Sequence, residues 1–358
     1  MAKTPSYNGT GLVNLVAEIE HHLTGSSSSP GLADASLVPE ASTYVLVLFD
    51  GLGVAQMEHR GARSLKAANT AVLDAPFPST TSVSLATIAS GLPPSQHGQV
   101  AHLTWMPDLG QVVNCLKWVT LTGESVSYDY SSVLPSDNLW ERLRASGIEP
   151  ITVQPGDFSG SPLSRVLYRG ARFEGAWDVD DLIAATAQLA GEPGRLIFTY
   201  VPYIDFAGHV WGLESDQFTE AMGLAVSVWE GIAAALPPDA VLLGTADHGL
   251  REFSEEQKLL VREPRFDALR FAGDTRGVHL WGDTALMDDL AEVTEGELVN
   301  PMSLIGPDPT ETARSRLGNK LLLAPDDKAI LPKGFDKRLR CYHGGLSREE
   351  IEIPLLVG

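Results

Sequence analysis

Three acidic residues each follow an apolar, β-branched segment of the chain, where a ligand site could form. They are Asp50 in "VLVLFDGLG", Asp205 in "FTYVPYIDFAGHVWG" and Asp247 in "LLGTADHGL". Two of them have a histidine at close spacing, because His209 comes four residues after Asp205 and His248 comes directly after Asp247. Carboxylate oxygen and imidazole nitrogen together suit zinc or a similar first-row divalent ion.

Each of these residues also has an ordinary structural explanation when it is taken alone. An aspartate that follows a strand is commonly a helix cap or an Asx-turn residue. A further histidine, His343 in "RCYHGGLS", would by itself be interpreted as a structural residue. The joint occurrence of three such acids and three histidines is what predicts a metal site.

The segment "FPSTTSVSLATIASGLPPSQHG", residues 77–98, is rich in hydroxyl groups and is predicted to begin a helix that ends near Gly91. The free N–H groups and the dipole of a first helical turn favour a bound anion. Two interpretations stay open from the residues alone. Ser79, Thr80 and Thr81 either only cap the helix, or one of them is a nucleophile.

The elements that would position these groups alternate between strand and helix. "TYVLVLFD", "RLIFTYV" and "AVLLGTAD" are near-continuous apolar segments, typical of strands buried on both faces of a parallel sheet. The pattern predicts an α/β fold with a doubly wound, mostly parallel sheet flanked by helices. In such a sheet the ligand site lies at the carboxyl ends of the strands, where the three aspartates would converge.

The domain organisation follows from the same pass along the chain. Residues 1–41 are predicted to form an N-terminal helix, beginning at Leu12, and a flexible connector, "GSSSSPG". Residues 42–358 form the main domain. Within it the pattern weakens over 251–340, which is interpreted as an inserted subdomain with short strands such as "GVHLWG" and polar loops such as "GPDPTETARSRLGN".

Composition excludes several classes of protein. With 358 residues, 44% of them hydrophobic, the chain can bury a large core. Its formal charge of −20, with no basic cluster, argues against a nucleic-acid polymer or an anionic membrane as partner. The sequence shows neither a signal peptide nor a transmembrane segment, and two cysteines make no disulfide framework, so a cytoplasmic location is predicted. The oligomeric state is left open.

Five motifs in order resemble those of the alkaline phosphatase superfamily, and most closely its type I phosphodiesterase/nucleotide pyrophosphatase branch. They are "LFDGLG", the 77–98 segment, "YIDFAGHVWG", "TADHGL" and "HGGLSREE". The resemblance implies an alkaline-phosphatase-like catalytic domain that uses two divalent metal ions, with zinc expected and manganese as the alternative. It also implies a small phosphoester or nucleotide as substrate.

The resemblance further implies a role for each motif residue. Asp205, His209 and His343 would hold one metal, and Asp50, Asp247, His248 and the oxygen of Thr81 would hold the other. Thr81 would be the nucleophile that forms a phosphothreonine, and Thr80 and Ser82 are the neighbours that a one-residue misalignment would choose. Ser84 aligns with the family's phosphoryl-binding asparagine, so it is the expected substrate contact.

The activity implied is hydrolysis of phosphodiester or phosphoanhydride bonds. The alternatives are a phosphomonoesterase, phosphonate hydrolase or phosphomutase on the same scaffold, or a non-catalytic protein that binds a phosphorylated ligand. No Lys or Arg lies between Lys66 and Lys117, and this favours a diester or pyrophosphate over a monoester. An arginine from the inserted segment, such as Arg276, could still reach the site.

Overall fold

The computed structural model describes residues 2–135 and 137–358. The α-helices in these ranges are α1 (Leu12–Thr24), α2 (Arg63–Ala68), α3 (Thr81–Ser90), α4 (Pro94–His97), α5 (Leu139–Ala145), α6 (Pro162–Leu167), α7 (Val179–Leu189), α8 (Tyr203–Trp211), α9 (Asp216–Ala235), α10 (Thr284–Thr294), α11 (Glu311–Arg316) and α12 (Arg348–Ile351). The strands are β1 (Thr43–Phe49), β2 (Asn69–Asp74), β3 (Leu103–Met106), β4 (Gln111–Asn114), β5 (Val119–Thr120), β6 (Glu149–Pro155), β7 (Arg172–Ala176), β8 (Arg195–Val201), β9 (Ala240–Thr245), β10 (Arg251–Glu252), β11 (Lys258–Leu260), β12 (Arg270–Asp274), β13 (Gly277–Trp281), β14 (Glu297–Val299), β15 (Lys320–Leu323), β16 (Ala329–Leu331), β17 (Cys341–Tyr342) and β18 (Glu352–Val357).

A seven-stranded sheet with the order β2-β18-β9-β1-β8-β6-β7 forms the centre of the fold. Strands β9, β1, β8, β6 and β7 are parallel neighbours, and β18 is antiparallel to both β9 and β2. All seven residues of β1 are buried because helices cover both faces of the sheet. The three strands predicted from apolar segments are present, and the predicted α/β class with a mostly parallel sheet is confirmed.

The helices form two layers. Helix α9 packs against α2, α7 and α8, and α7 also contacts β6 and β8. Helices α1, α3 and α5 pack against one another in a second group. Helix α1 begins at the predicted residue and ends where Gly25 adopts a left-handed conformation with φ of 80°. Helix α3, which begins at Thr81, is therefore packed within one of the two layers.

A second seven-stranded sheet has the order β14-β15-β13-β12-β3-β4-β5 and is antiparallel throughout. Four of its strands come from the 251–340 segment, and β3, β4 and β5 come from 103–120. The interpretation of 251–340 as an inserted subdomain stays a prediction. The expectation of a polar loop at "GPDPTETARSRLGN" was wrong, because Thr310 caps helix α11 there by accepting a bond from the Ala313 N–H.

Cys115 and Cys341 are both buried free thiols. Among residues 2–135 and 137–358, no helix combines the length and the apolar character needed to cross a bilayer.

A buried ion pair joins the second sheet to the end of the central one. Arg276, in the β12–β13 turn, lies 3.3 Å from the Glu350 carboxylate of α12, and the two side chains are 3% and 0% exposed. The guanidinium also donates to the carbonyl groups of Pro325 and Lys328. Arg276, which from the sequence could have reached into the site, is instead engaged by Glu350 and by two carbonyl groups.

Replacing Glu350 tests this link. Glu350→Gln should lower the free energy of unfolding by about 3 kcal/mol, because it leaves the Arg276 guanidinium buried without its counter-charge. The matched control is Glu349→Gln. The Glu349 side chain is about half exposed, and its carboxylate lies as far as 3.9 Å from the Arg251 guanidinium. This substitution should change the free energy of unfolding by less than about 1 kcal/mol. Urea denaturation of both variants measures the difference, and equal effects would contradict the assignment.

Candidate metal centre

The parallel sheet brings the three strand-terminal aspartates to one edge. Strand β1 lies between β8 and β9, and the loops after all three strands leave the sheet on the same side. The Asp50 N–H donates to the carbonyl of Val201, and the Asp205 N–H donates to the carbonyl of Asp50, both at 3.0 Å. Backbone hydrogen bonds between neighbouring strand ends therefore set the spacing of these acids.

The predicted ligands form two groups of three. Within each group one ligand atom of every residue lies within 4.8 Å of the others; the groups are Asp205, His209 and His343, and Asp50, Asp247 and His248. The rings of His248 and His343 stack with their centroids 3.7 Å apart, so the two groups are adjacent. The structure thus brings together all six side chains that the sequence analysis assigned to metal binding.

A backbone carbonyl binds the same ring nitrogen in each of the three histidines. The Nδ1 atoms of His209, His248 and His343 lie 2.7, 3.2 and 3.0 Å from the carbonyl oxygens of Cys341, Gly249 and Ser79. A carbonyl can only accept a hydrogen bond, so each Nδ1 carries the proton and each Nε2 presents a lone pair. This is the arrangement of metal-binding histidines, whose second nitrogen is held by an outer hydrogen bond.

The carboxylates leave oxygens free for a cation. Asp50 Oδ1, Asp205 Oδ1 and Asp247 Oδ2 are buried and have no hydrogen-bond partner. Burial, reinforced by the charges of Asp247 and Asp205, raises the pKa of Asp50 well above its usual value. One unpartnered oxygen on each acid, together with three imidazole lone pairs, is a donor set that fits two divalent ions.

Two further groups support the carboxylates. The Tyr200 hydroxyl donates a hydrogen bond to Asp50 Oδ2, and the Gly51 N–H donates to Asp247 Oδ1 at 3.0 Å. Gly51 has φ of 78°, and a Cβ there would lie 2.9 Å from the Cα of Asp205, so only glycine fits. The sequence analysis missed Tyr200, because a strand buried on both faces carries no alternation that marks which side chain points to a site.

The hydroxyl groups of the 77–98 segment have different partners. Thr81 is the first residue of α3, and its Oγ1 lies 3.1 Å from Nε2 of His248. Thr80 is the N-cap residue but makes no side-chain capping bond. The hydroxyls of Ser79, Ser82 and Ser84 donate to the backbone carbonyls of Gly345, Ala101 and Asp247. Among these five residues, Thr81 is the one whose hydroxyl contacts the ring of a predicted metal ligand.

Ser84 supports the site through the backbone of a predicted metal ligand. Its side chain is fully buried, and its hydroxyl donates to the backbone carbonyl of Asp247 at 2.7 Å. This bond positions the loop that carries Asp247 and His248. The role of Ser84 as a phosphate contact stays a prediction.

One further histidine, His102, lies near the centre. Burial lowers its pKa to about 4, and His209 adds to this effect. Burial lowers the pKa of His343 well below its usual value, and the positive charges that His248, His209 and His102 can carry contribute. No nearby sequence pattern marks His102, which enters the site from the start of the second sheet.

The comparison with protein families follows the same motifs. The family description "Type I phosphodiesterase / nucleotide pyrophosphatase" matches residues 44–283, a range that contains five of the six candidate ligands and Thr81. The chain belongs to this family. The resemblance drawn from the motifs is confirmed, and membership of this phosphodiesterase family makes the chain a metal-dependent hydrolase of phosphoric esters.

Solved structures share the fold of this phosphodiesterase family member. Mouse ectonucleotide pyrophosphatase/phosphodiesterase 5 has a TM-score of 0.64 at 16% identity, over 88% of this chain and 87% of that chain. Phosphonoacetate hydrolase from Sinorhizobium meliloti, in complex with phosphonoacetate, has a TM-score of 0.67 at 15% identity, over 89% and 90%. At these identities the likeness concerns the fold, which is alkaline-phosphatase-like. No curated protein sequence matches the chain.

Removing metal should destabilise this family member more at high pH. In the metal-free chain the pKa of Asp50 is raised, so the free energy of unfolding falls as the pH rises through that pKa. Metal binding, in contrast, becomes stronger as the carboxylates ionise. The fall in Tm on EDTA treatment should therefore be larger at about pH 8 than at about pH 6. Calorimetry with and without added zinc measures it, and a pH-independent fall would contradict the assignment.

Asp50→Asn should change stability in opposite directions with and without metal. It removes a buried charge from the repelling cluster, so the EDTA-treated variant should melt above the EDTA-treated parent. It also removes a ligand oxygen, so zinc affinity should fall at least about tenfold. Replacing a residue that only hydrogen-bonds to a ligand already lowers metal affinity by about that factor, and replacing the ligand itself should lower it no less. Glu230→Gln, an exposed charge removal on α9, is the control and should change neither quantity.

Proposed function

We propose that this protein is a two-metal hydrolase of phosphodiester or phosphoanhydride bonds that acts through a phosphothreonine at Thr81. The observation that carries the proposal is the position of Thr81 Oγ1, 3.1 Å from Nε2 of His248, beside both groups of candidate ligands. An unassisted threonine hydroxyl is a weak nucleophile, so a reactive one has to be next to a group that stabilises its ionised form.

Each group of three would hold one ion. Asp205, His209 and His343 form the first site, and Asp50, Asp247 and His248 form the second, with Thr81 Oγ1 beside it. When bound, two divalent ions supply Lewis acidity and stabilise negative charge on oxygen atoms. Zinc is the proposed metal because each site offers both imidazole nitrogen and carboxylate oxygen.

The reaction then divides into two displacements at phosphorus. Thr81 Oγ1 forms a bond to phosphorus while the bond to the leaving oxygen breaks, and that oxygen takes the electron pair and, through solvent, the threonine proton. A water oxygen then bonds to phosphorus, the bond to Thr81 breaks, and a proton from that water restores the hydroxyl. The backbone N–H groups of Thr81 and Ser82, in the first turn of α3, can donate to phosphoryl oxygens throughout.

Two relatives in fold support the chemistry. The mouse phosphodiesterase has been solved as an inactive threonine-to-alanine variant in complex with AMP, with a TM-score of 0.65 at 15% identity. The Sinorhizobium meliloti relative holds phosphonoacetate. Both ligands are small phosphorus compounds, which is the class of substrate proposed for this protein. The proposal also includes a cytoplasmic location and no nucleic-acid or membrane partner.

Thr81→Ala should abolish turnover while leaving the metal sites occupied. The hydrolysis of bis(p-nitrophenyl) phosphate should fall by at least about a thousandfold, because the first displacement loses its nucleophile. Thr81→Ser keeps a hydroxyl and should retain part of the activity. Metal analysis of the purified variants should still find two ions in each.

Ser82→Ala is the matched control for the hydroxyl. It removes the neighbouring hydroxyl, which donates to the carbonyl of Ala101, and should cost about 1 kcal/mol of stability with kcat within a few-fold of the parent. An active Thr81→Ala variant, or an inactive Ser82→Ala variant that retains its metal, would argue against Thr81 as the nucleophile.

A further inference from the structure

A pocket of about 460 Å³ opens where two short parallel strands end together. The last paired residues of β11 and β16 are Leu260 and Leu331. The Val261 N–H adds one bond to the carbonyl of Leu331 at 3.1 Å, and beyond it residues 260–262 and 331–338 line the pocket. Its volume is within the range of small-molecule sites, roughly 300–1,000 Å³.

The wall formed by residues 332–338 is fixed by side chains from two strands. The Tyr342 hydroxyl, from β17, donates to the carbonyl of Asp336 at 2.8 Å. The buried Lys258 ammonium, from β11, donates to the carbonyl of Lys337 at 3.3 Å. The pocket is therefore preformed, so a ligand does not have to order this part of the chain when it binds.

The lining combines a buried apolar surface with an exposed apolar side chain. Leu331, Pro332 and Phe335 are buried, whereas Leu260 is 37% exposed. A ligand with an apolar body that covers Leu260 removes apolar surface from water, and this favours binding.

Four cations line the same pocket, and two of them have acidic partners. Lys333 lies 2.7 Å from the carboxylate of Asp267, and Arg338 lies 2.6 Å from that of Asp336. These two pairs leave two cations of the lining without a counter-charge. They are Arg262 and Lys337.

Arg262 and Lys337 are both exposed, and neither has an ion-pair partner within residues 2–135 and 137–358. The acid next to Arg262 in the chain, Glu263, is held by Arg265 at 2.9 Å. The whole chain has a formal charge of −20, so two uncompensated positive charges beside an apolar surface distinguish this pocket from its surroundings. Such a local field favours an anionic ligand over a neutral or cationic one.

We propose that this pocket binds a small organic anion, a carboxylate attached to an apolar body, at a site separate from the metal centre. The carboxylate lies among the charges of Arg262 and Lys337, and a guanidinium can bind it through two parallel N–H donors. The apolar body covers Leu260. Binding here requires neither metal nor turnover, so the inference does not depend on the proposed function.

Octanoate is the probe, and isothermal titration calorimetry with the zinc-loaded protein measures its Kd. Two related compounds separate the head group from the body. Octanol has the same chain without the charge and should bind at least about tenfold more weakly, because it lacks the charge-assisted contacts. Acetate keeps the charge without the chain and should also bind at least about tenfold more weakly, because it covers little apolar surface.

Substitutions in the pocket test the two parts of the site. Arg262→Gln and Lys337→Met should each weaken octanoate binding by about tenfold and octanol binding by less than about twofold, as expected for the loss of one charge-assisted contact. Leu260→Ser should weaken both ligands together, because it removes apolar surface from the lining. All three side chains are exposed, so the variants should keep the melting temperature of the parent.

Lys66→Met is the matched control, because it makes the same change in net charge on α2, where Lys66 is paired with Glu58. It should leave octanoate binding unchanged. Undiminished octanoate binding in both Arg262→Gln and Lys337→Met would locate the ligand elsewhere and overturn the inference, and so would a parent protein that does not bind octanoate. Neither result affects the proposed function, because Thr81 and the six candidate metal ligands lie outside the pocket.

Discussion

Three carboxylates meet beyond the ends of β1, β8 and β9, those of Asp50 and Asp247 buried and that of Asp205 partly exposed, and this like-charge cluster is the constraint around which the fold is arranged. Ionised carboxylates at such a distance repel strongly once water is excluded. Burial and, second to it, this repulsion raise the pKa of Asp50 well above its usual value in the chain alone. Divalent cations convert the same geometry from a cost into a stabilising interaction, so metal binding and folding stability are coupled at this edge of the sheet.

The rest of the site fixes the orientation of the ligands through the main chain. Backbone carbonyls hold the three imidazoles, and the Gly51 N–H holds one oxygen of Asp247. Main-chain groups cannot rotate away as side chains can, so the lone pairs remain directed at the centre. Ser84 extends this pattern, because its hydroxyl binds the carbonyl of Asp247 and steadies the turn that carries two ligands.

The sequence predicts the parts of this site that repeat a local pattern. Asp50, Asp205 and Asp247 stand where apolar strands end, and a parallel sheet allows only one edge for such residues to meet. Tyr200 and His102 have no such marker, since Tyr200 is one residue of a buried strand and His102 comes near the centre only when β3 has packed beside it. For Arg276 the sequence leaves a contact with the site open, and only the folded chain shows that the guanidinium is paired with Glu350.

The second sheet could not be foreseen for a related reason. Its strands come from 103–120 and 270–323, and antiparallel pairing between such distant segments depends on tertiary packing rather than on local propensity. Helix α11 was missed because six residues with a polar surface resemble a loop until its cap and the buried Arg316 are seen. Fold class was accessible from the chain, whereas the long-range pairing was not.

The two halves of the second sheet meet through a single residue pair, Gly273 opposite Leu103. All six candidate metal ligands lie outside this sheet, in the loops and helices around the central one. The architecture is therefore modular. The β3–β5 half of this sheet can therefore change in length or charge while the strand ends that carry the candidate metal ligands keep their positions.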